Sequence, residues 1–200
     1  MDMLGRIQAV WDKLGGKGGV DRFLRGEITV SEPTRLWREE DGVIYFRVTS
    51  DGTTGEEWAR RLEEKSFRVG SGAESLLCSA NFKPTSGVTT EVAVLKGILF
   101  GDNGRITRMI SAEAARRKFT TPKAEVACLI REKFTDAEIE SMGLAWIVVM
   151  HKPIKDSLGG WRLLLANRLG SGRLLGAYFD EPDRWWRLED GFAFAVSQRW

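Results

Sequence analysis

Histidine is all but missing from this 200-residue chain, in which His151 stands alone. Zinc clusters built on several histidines and helices carrying a histidine pair are therefore excluded. Any Ser-His or Cys-His catalytic pair would have to use residue 151. Cysteine is scarce too. Cys78 and Cys128 sit in helix-like apolar settings, and without an export signal the expectation is buried, reduced thiols, with a disulfide between them left open. Long apolar runs are lacking. Met1 to Lys13 mixes Asp2, Arg6, Asp12 and Lys13 with its apolar residues, unlike a signal peptide. No stretch reaches the roughly 18 apolar residues of a spanning helix, so no membrane partner and a cytoplasmic location are expected. An excess of one charge is also lacking. Thirty basic and twenty-eight acidic side chains leave +2, so nucleic-acid binding would need a local patch and is not expected from the whole chain.

What is present is an ordinary globular composition, 42% hydrophobic and 29% charged, sufficient for a single domain over 1–200. Leu4, Ile7, Val10, Trp11 and Leu14 recur at helical spacing. Gly15 and Gly16 stop that helix, the 15–19 stretch reads as a flexible connector, and a short helix follows over Val20 to Arg25. Val43 to Thr49 and Val88 to Phe100 read as strands. Helices are expected from Glu56, over Ala73 to Ser79, over Arg105 to Phe119 and from Thr121-Pro122, where threonine caps and proline fits the first turn. Thr135 to Glu138 has the form of a capping box, and Gly143 closes its helix. From Leu144 onward the pattern turns to strands: Leu144 to Met150, Trp161 to Ala166, Leu174 to Phe179 and Phe192 to Val196. Glycine hairpin loops stand at 159–160 and 170–172. The class expected is α+β, with a helix-rich part (1–143) carrying two strands and packed on an antiparallel β-rich part (144–200).

Five stretches, Val48-Thr-Ser-Asp-Gly-Thr-Thr-Gly-Glu-Glu-Trp58, Phe82-Lys-Pro-Thr-Ser-Gly-Val-Thr-Thr-Glu91, Ala127-Cys-Leu-Ile-Arg-Glu-Lys-Phe134, Trp146-Ile-Val-Val-Met-His-Lys-Pro153 and Gly191-Phe-Ala-Phe-Ala-Val-Ser-Gln198, resemble a family of small cytoplasmic proteins common in environmental bacteria with reduced genomes. The resemblance covers nearly the whole chain and implies a self-contained domain without an assigned activity. It carries no cofactor, and none is called for by the residues; nor does any group of residues have metal-ligand spacing.

The loop Ser50 to Gly55 between a strand and a helix could hold an anion on backbone N–H groups, or be an ordinary capped turn in which Glu56 and Glu57 repel phosphate. Its Asp51-Gly-Thr is similar to the aspartate-nucleophile motif of phosphoryl-transfer hydrolases, but the required second aspartate is replaced by Thr49, which cannot form an acyl-phosphate. A second Thr/Gly loop, Pro84 to Glu91, could share a cleft with the first and bring Glu91 and Asp51 to its mouth. His151 at a strand end could serve as a general base or as a structural hydrogen-bonder. The tail offers Trp161, Tyr178, Trp185, Trp186 and Trp200 with Asp180, Glu181, Asp183, Glu189 and Asp190. Aromatic faces stack on sugars and carboxylates accept from hydroxyls, so the leading expectation is a module binding a saccharide or other small polar ligand through Trp161, Tyr178, Asp180, Asp183, Trp185 and Trp186. Trp185 and Trp186, adjacent in a strand, should point to opposite faces, with core packing as the alternative use of the rings. The first alternative function is a glycosidase using two of Asp51, Glu56, Glu91, Asp180, Glu181 and Asp183, spaced roughly 5 Å apart for retention or about 6.5–9.5 Å for inversion. A third is a nucleic-acid or protein adaptor using the Arg105–Lys123 basic stripe, which otherwise reads as a solvated face.

Overall fold

The computed structural model describes residues 3–29, 35–168 and 173–197. The chain divides into two compact units, 1–35 and 36–200. In the first, α1 (Met3–Lys13) and α2 (Gly16–Leu24) form a helical hairpin. The glycine-rich connector expected over 15–19 is mostly helix: only Gly15 remains outside, at φ +82°, and Gly16 opens α2.

The second unit is an α+β fold around one mixed sheet. Its described strands are β1 (Arg38–Glu40), β2 (Val43–Asp51), β3 (Arg68–Val69), β4 (Ser86–Lys96), β5 (Phe119–Thr120), β6 (Trp146–Val149), β7 (Ile154–Lys155), β8 (Trp161–Asn167), β9 (Leu174–Phe179) and β10 (Asp190–Val196). The order across the sheet is β1-β2-β4-β10-β6-β8-β9-β3, with β5 added to β10 and β7 to β8. The C-terminal strands therefore do not form a separate antiparallel layer. β10 inserts between the front and rear halves, antiparallel to β4 and parallel to β6. The reason lies in its two apolar faces: Phe192 and Phe194 pack on one side and Ala193 on the other, as a central strand requires.

Alternation along the strands divides the core into two layers. Val92 and Val94 of β4 face one side, with Trp58 and Leu62 of α3 (Gly55–Glu64), Leu76 and Leu77 of α4 (Ser71–Leu77), α6 (Val126–Lys133) and Ile139 of α7 (Asp136–Ser141). Ala93 and Leu95 face the other, where Ile110 and Ala114 of α5 (Thr107–Arg116) cover the sheet. The capping box at Thr135 is present, Thr135 accepting from the Glu138 N–H and Glu138 accepting from the Thr135 N–H. Two boundaries differ from the sequence reading. β4 ends at Lys96 and Gly97–Leu99 form a 3-10 turn, closely approached by the Arg187 backbone, where an added Cβ at Gly97 would lie 2.4 Å from the Arg187 carbonyl; Ile98 and Phe100 are therefore outside the ladder. α6 starts at Val126 rather than Thr121-Pro122, with Glu125 before it accepting from the Thr85 N–H. Among the described residues no helix is long and apolar enough to cross a membrane. Both cysteines are free; Cys128 is buried, but Cys78 is exposed, against expectation, because it caps the short α4 at its outer end.

Candidate functional site

The two Thr/Gly loops do meet, but they fill the space between them with their own partners. Asp51 pairs with Ser86 across β2 and β4, and the Gly52 N–H donates to the Thr85 carbonyl at 2.8 Å. The Ser50 and Thr85 hydroxyls lie 2.9 Å apart, and Thr85 donates both its N–H and its hydroxyl to the buried Glu125 carboxylate. At the start of α3 the Thr54 hydroxyl accepts from the Glu57 N–H while Glu57 accepts from the Thr54 N–H. The protein's own carboxylate thus occupies the seat an anion would need. Arg61 donates to Glu132 through Nε and Nη2, both at 2.6 Å, and to Asp51, with its guanidinium 4.5 Å from the Trp58 ring centroid. The Thr53 hydroxyl and Arg61 hold the Asp51 carboxyl down at about 2, so it is no proton acceptor near neutrality. Glu56 is exposed, and Glu91 lies farther along β4 with Arg38 at 3.2 Å rather than beside Asp51. The depression of about 650 Å³ outside this network, bordered by Asp51, Thr53, Arg60, Arg61 and Glu64, is open and its main charges are paired.

A second cleft, of about 590 Å³, lies between α5 and the ends of the central strands. Met150, Leu163, Phe119 and Phe194 supply apolar surface, and Ser111, Thr120, Thr121, Lys152 and Asp180 supply polar groups. His151 also lines it. Its ring is buried and both nitrogens are committed: Nδ1–H donates to the Lys152 carbonyl at 2.8 Å, and Nε2 accepts from the Leu164 N–H at 2.9 Å. A carbonyl can only accept and an N–H can only donate, which fixes this neutral tautomer. Burial pushes the imidazole down to about 4. His151 pins the loop after β6 to β8; its ring nitrogens have no capacity left for proton transfer.

Asp180 is differently placed. It follows β9, and its N–H donates to the Trp161 carbonyl at 2.9 Å. Strand alternation puts its side chain on the Tyr178 face and that of Trp161 on the Leu163 face, which is the same side of the sheet. No hydrogen bond or ion pair from a described residue reaches the Asp180 carboxylate. Partial burial raises its pKa from the ordinary value. Trp161 beside it is 51% exposed, with the Lys155 ammonium 4.9 Å from its ring centroid.

The remaining tail residues scatter. Trp186 is 2% exposed, and its Nε1 donates to the Thr107 hydroxyl at 3.0 Å, so it belongs to the core and not to a binding surface. Trp185 is 55% exposed, under the Arg105 guanidinium; the two tryptophans do not lie in a strand as expected, Trp185 forming an isolated bridge with Ile106. Tyr178 is half-buried between Trp146 and Trp186, with Arg184 4.1 Å from its centroid. Asp183 pairs with Arg108 at 2.8 Å, and Glu181 is exposed. Trp200 lies outside the described residues. Among the described residues that line the α5 cleft, Asp180 is the one carboxylate. The Arg105–Lys123 stripe is broken up: Arg105 is buried and bonded to Phe100, Asp102 and Trp186, Arg116 and Arg117 clamp Glu113, and Arg108 holds Asp183. The residues that sequence reasoning missed are Ser111, Thr120 and Thr121. They come from two separate segments, α5 and the end of β5, and only the adjacent threonine pair was a signal.

Compared with protein-family models, with curated proteins and with solved structures, the chain matches none.

Proposed function

We propose that unit 36–200 is a binding module for a small ligand with an apolar face and several hydroxyls, a saccharide being the class that fits, seated in the α5 cleft. The observation that carries this reading is Asp180: a half-buried carboxylate without a partner among the described residues, on the wall of a cleft of about 590 Å³. That volume falls within the range of about 300–1,000 Å³ usual for small-molecule sites. A polar group left unmatched at such a place costs free energy unless a ligand or water completes it. Ser111 and Thr121 add hydroxyls that both donate and accept, Met150 and Leu163 offer an apolar wall, and Trp161, outside the lining, presents an exposed ring from the neighbouring strand on the same face of the sheet. Hydrolysis by a carboxylate pair has less support, because the second acid is lacking among the described cleft residues.

Calorimetry with a panel of mono- and disaccharides tests the reading, with Trp161 fluorescence as a second signal. Asp180→Asn should weaken binding about tenfold or more, the worth of one charge-assisted hydrogen bond. Absence of binding across the panel, or equal affinity in the variant, would overturn it.

A further inference from the structure

The α5 cleft holds two charges of opposite sign, and neither is spent on a described residue. Asp180 and Lys152 are the charged side chains among the described residues that line it. Like the Asp180 carboxylate, the exposed Lys152 ammonium receives no ion pair or hydrogen bond from a described residue, and the two groups do not pair with each other. Their separation is built into the sheet. On the β9 side of β8 the Asp180 N–H donates to the Trp161 carbonyl. On the opposite side His151 accepts from the Leu164 N–H and donates to the Lys152 carbonyl, and Ile154 pairs with Arg162. Lys152 and Asp180 therefore reach the cleft from opposite edges of β8, with Leu163 of that strand between them. Two strand spacings put their main chains roughly 10 Å apart. The neighbouring charges are engaged elsewhere: Lys155 lies 4.9 Å from the Trp161 ring centroid, and Asp156 holds Arg162. Burial, and no nearby cation, is what acts on the Asp180 carboxyl.

We infer that the cleft takes a zwitterionic sugar, its amine on Asp180 and its carboxylate or phosphate on Lys152; this rests on the saccharide reading above and names the class within it. An ionised carboxylate only accepts hydrogen bonds and an ammonium only donates them. Neutral hydroxyls can serve both, but a hydrogen bond between charged groups is about twice as strong. A ligand of one sign gains at one wall of the cleft and is repelled at the other. A ligand with both signs gains at both walls, in one orientation and not in the reverse, so the pair of charges selects and aligns at once. In that orientation the ring lies across Leu163 and Met150, and the Ser111 and Thr121 hydroxyls remain for its neutral hydroxyls.

The experiment is calorimetry on the full chain near neutral pH with four probes: glucose, glucosamine, glucose 6-phosphate and glucosamine 6-phosphate. The phosphorylated amine should bind tightest, about a hundredfold above glucose, at about tenfold for each charged contact. Asp180→Asn should erase the advantage of the amine and keep that of the phosphate, and Lys152→Gln should do the reverse. Glucose binding as tightly as glucosamine 6-phosphate overturns the inference and leaves the saccharide reading standing. So does a preference for either charge that survives the variant meant to remove it. Silence from all four probes overturns it too, and takes the saccharide reading with it when the wider sugar panel is also silent.

Discussion

The start of α3 and the cleft under α5 are built from the same kinds of residue, and the fold uses them in opposite ways. Around Asp51 every strong group finds a protein partner: Arg61 joins Asp51 to Glu132, Lys65 adds a second cation to Glu132, and Thr85 satisfies Glu125. Around Asp180 the Thr120 hydroxyl donates to the Ala195 carbonyl at 3.3 Å, but no hydrogen bond from a described residue closes the Asp180 carboxylate. Loops rich in threonine, glycine and acid look equally functional in a sequence; partner geometry separates a scaffold from a site. The strongest way to break the comparison is Thr85→Val. It removes the hydroxyl donor to a carboxylate that is only 4% exposed and leaves Ser50 without its neighbour. A loss of about 2–4 kcal/mol in urea unfolding is expected. A change below the measurement error would mean that Glu125 is served by solvent, and the saturated region would no longer differ from the open one.

Acid sharpens the contrast inside the cleft itself. His151 is held neutral in the fold, with its pKa lowered to about 4 by burial. A lowered pKa means that the stability is fully present above the unfolded value near 6.5 and is lost as pH falls through the folded value, about 3 kcal/mol in all. Asp180 works in the other sense. Its raised pKa gives a contribution present below the ordinary carboxylate range and lost as pH rises through the folded value. Unfolding followed between pH 7 and 4 should therefore show a steep decline that His151→Gln flattens. At pH 7 Asp180→Asn should move stability by no more than about 0.5 kcal/mol, toward greater stability if at all. If the histidine variant declines as steeply as the parent, the ring is not the saturated pin described above. If Asp180→Asn costs several kcal/mol, the carboxylate has a structural partner and the cleft loses its open group.

Much of this fold could be read in the sequence where local pattern and tertiary need coincide. The capping box at Thr135, the strands β2 and β9, and the unequal exposure of Trp185 and Trp186 are local statements, and they hold. β1, β3, β5 and β7 escaped notice because strands of two or three residues carry no period, and Arg38, Glu39 and Glu40 of β1 are all charged and exposed. Alternation alone also ran β4 on to Phe100, since nothing near Gly97 in sequence announces the Arg187 and Leu188 carbonyls that crowd it. The place of β10 at the centre of the sheet depends on pairings with residues far away in the chain, which no window contains. The site follows the same rule. Asp180 and His151 were named from composition, but the spent nitrogens of one and the unmatched oxygens of the other emerge only after β6, β8 and β9 are side by side. The Arg105–Lys123 stripe looked less paired than it is for the mirror-image reason: its acidic partners Asp102, Glu113 and Asp183 are close in space, and only two of them close in sequence.

The finest distinction between the two regions concerns an ion pair that looks important and should matter little. Arg108 and Asp183 join α5 to the loop after Asp180, at 2.8 Å, with both side chains more than half exposed. The same loop is already tied to α5 by the main chain, the Arg108 N–H donating to the Pro182 carbonyl at 2.9 Å and the Thr107 N–H to the Arg184 carbonyl at 3.3 Å. Arg108→Ala keeps both of these bonds. An exposed pair contributes about 0.2–1 kcal/mol at most and is screened by salt, so the unfolding midpoint should shift barely, and less in high salt. Ligand affinity in the cleft should stay within a factor of three. A larger drop would show that the loop bearing Asp180 is positioned by charge rather than by backbone, and the cleft would then resemble the Asp51 network more closely than its own unmatched carboxylate suggests.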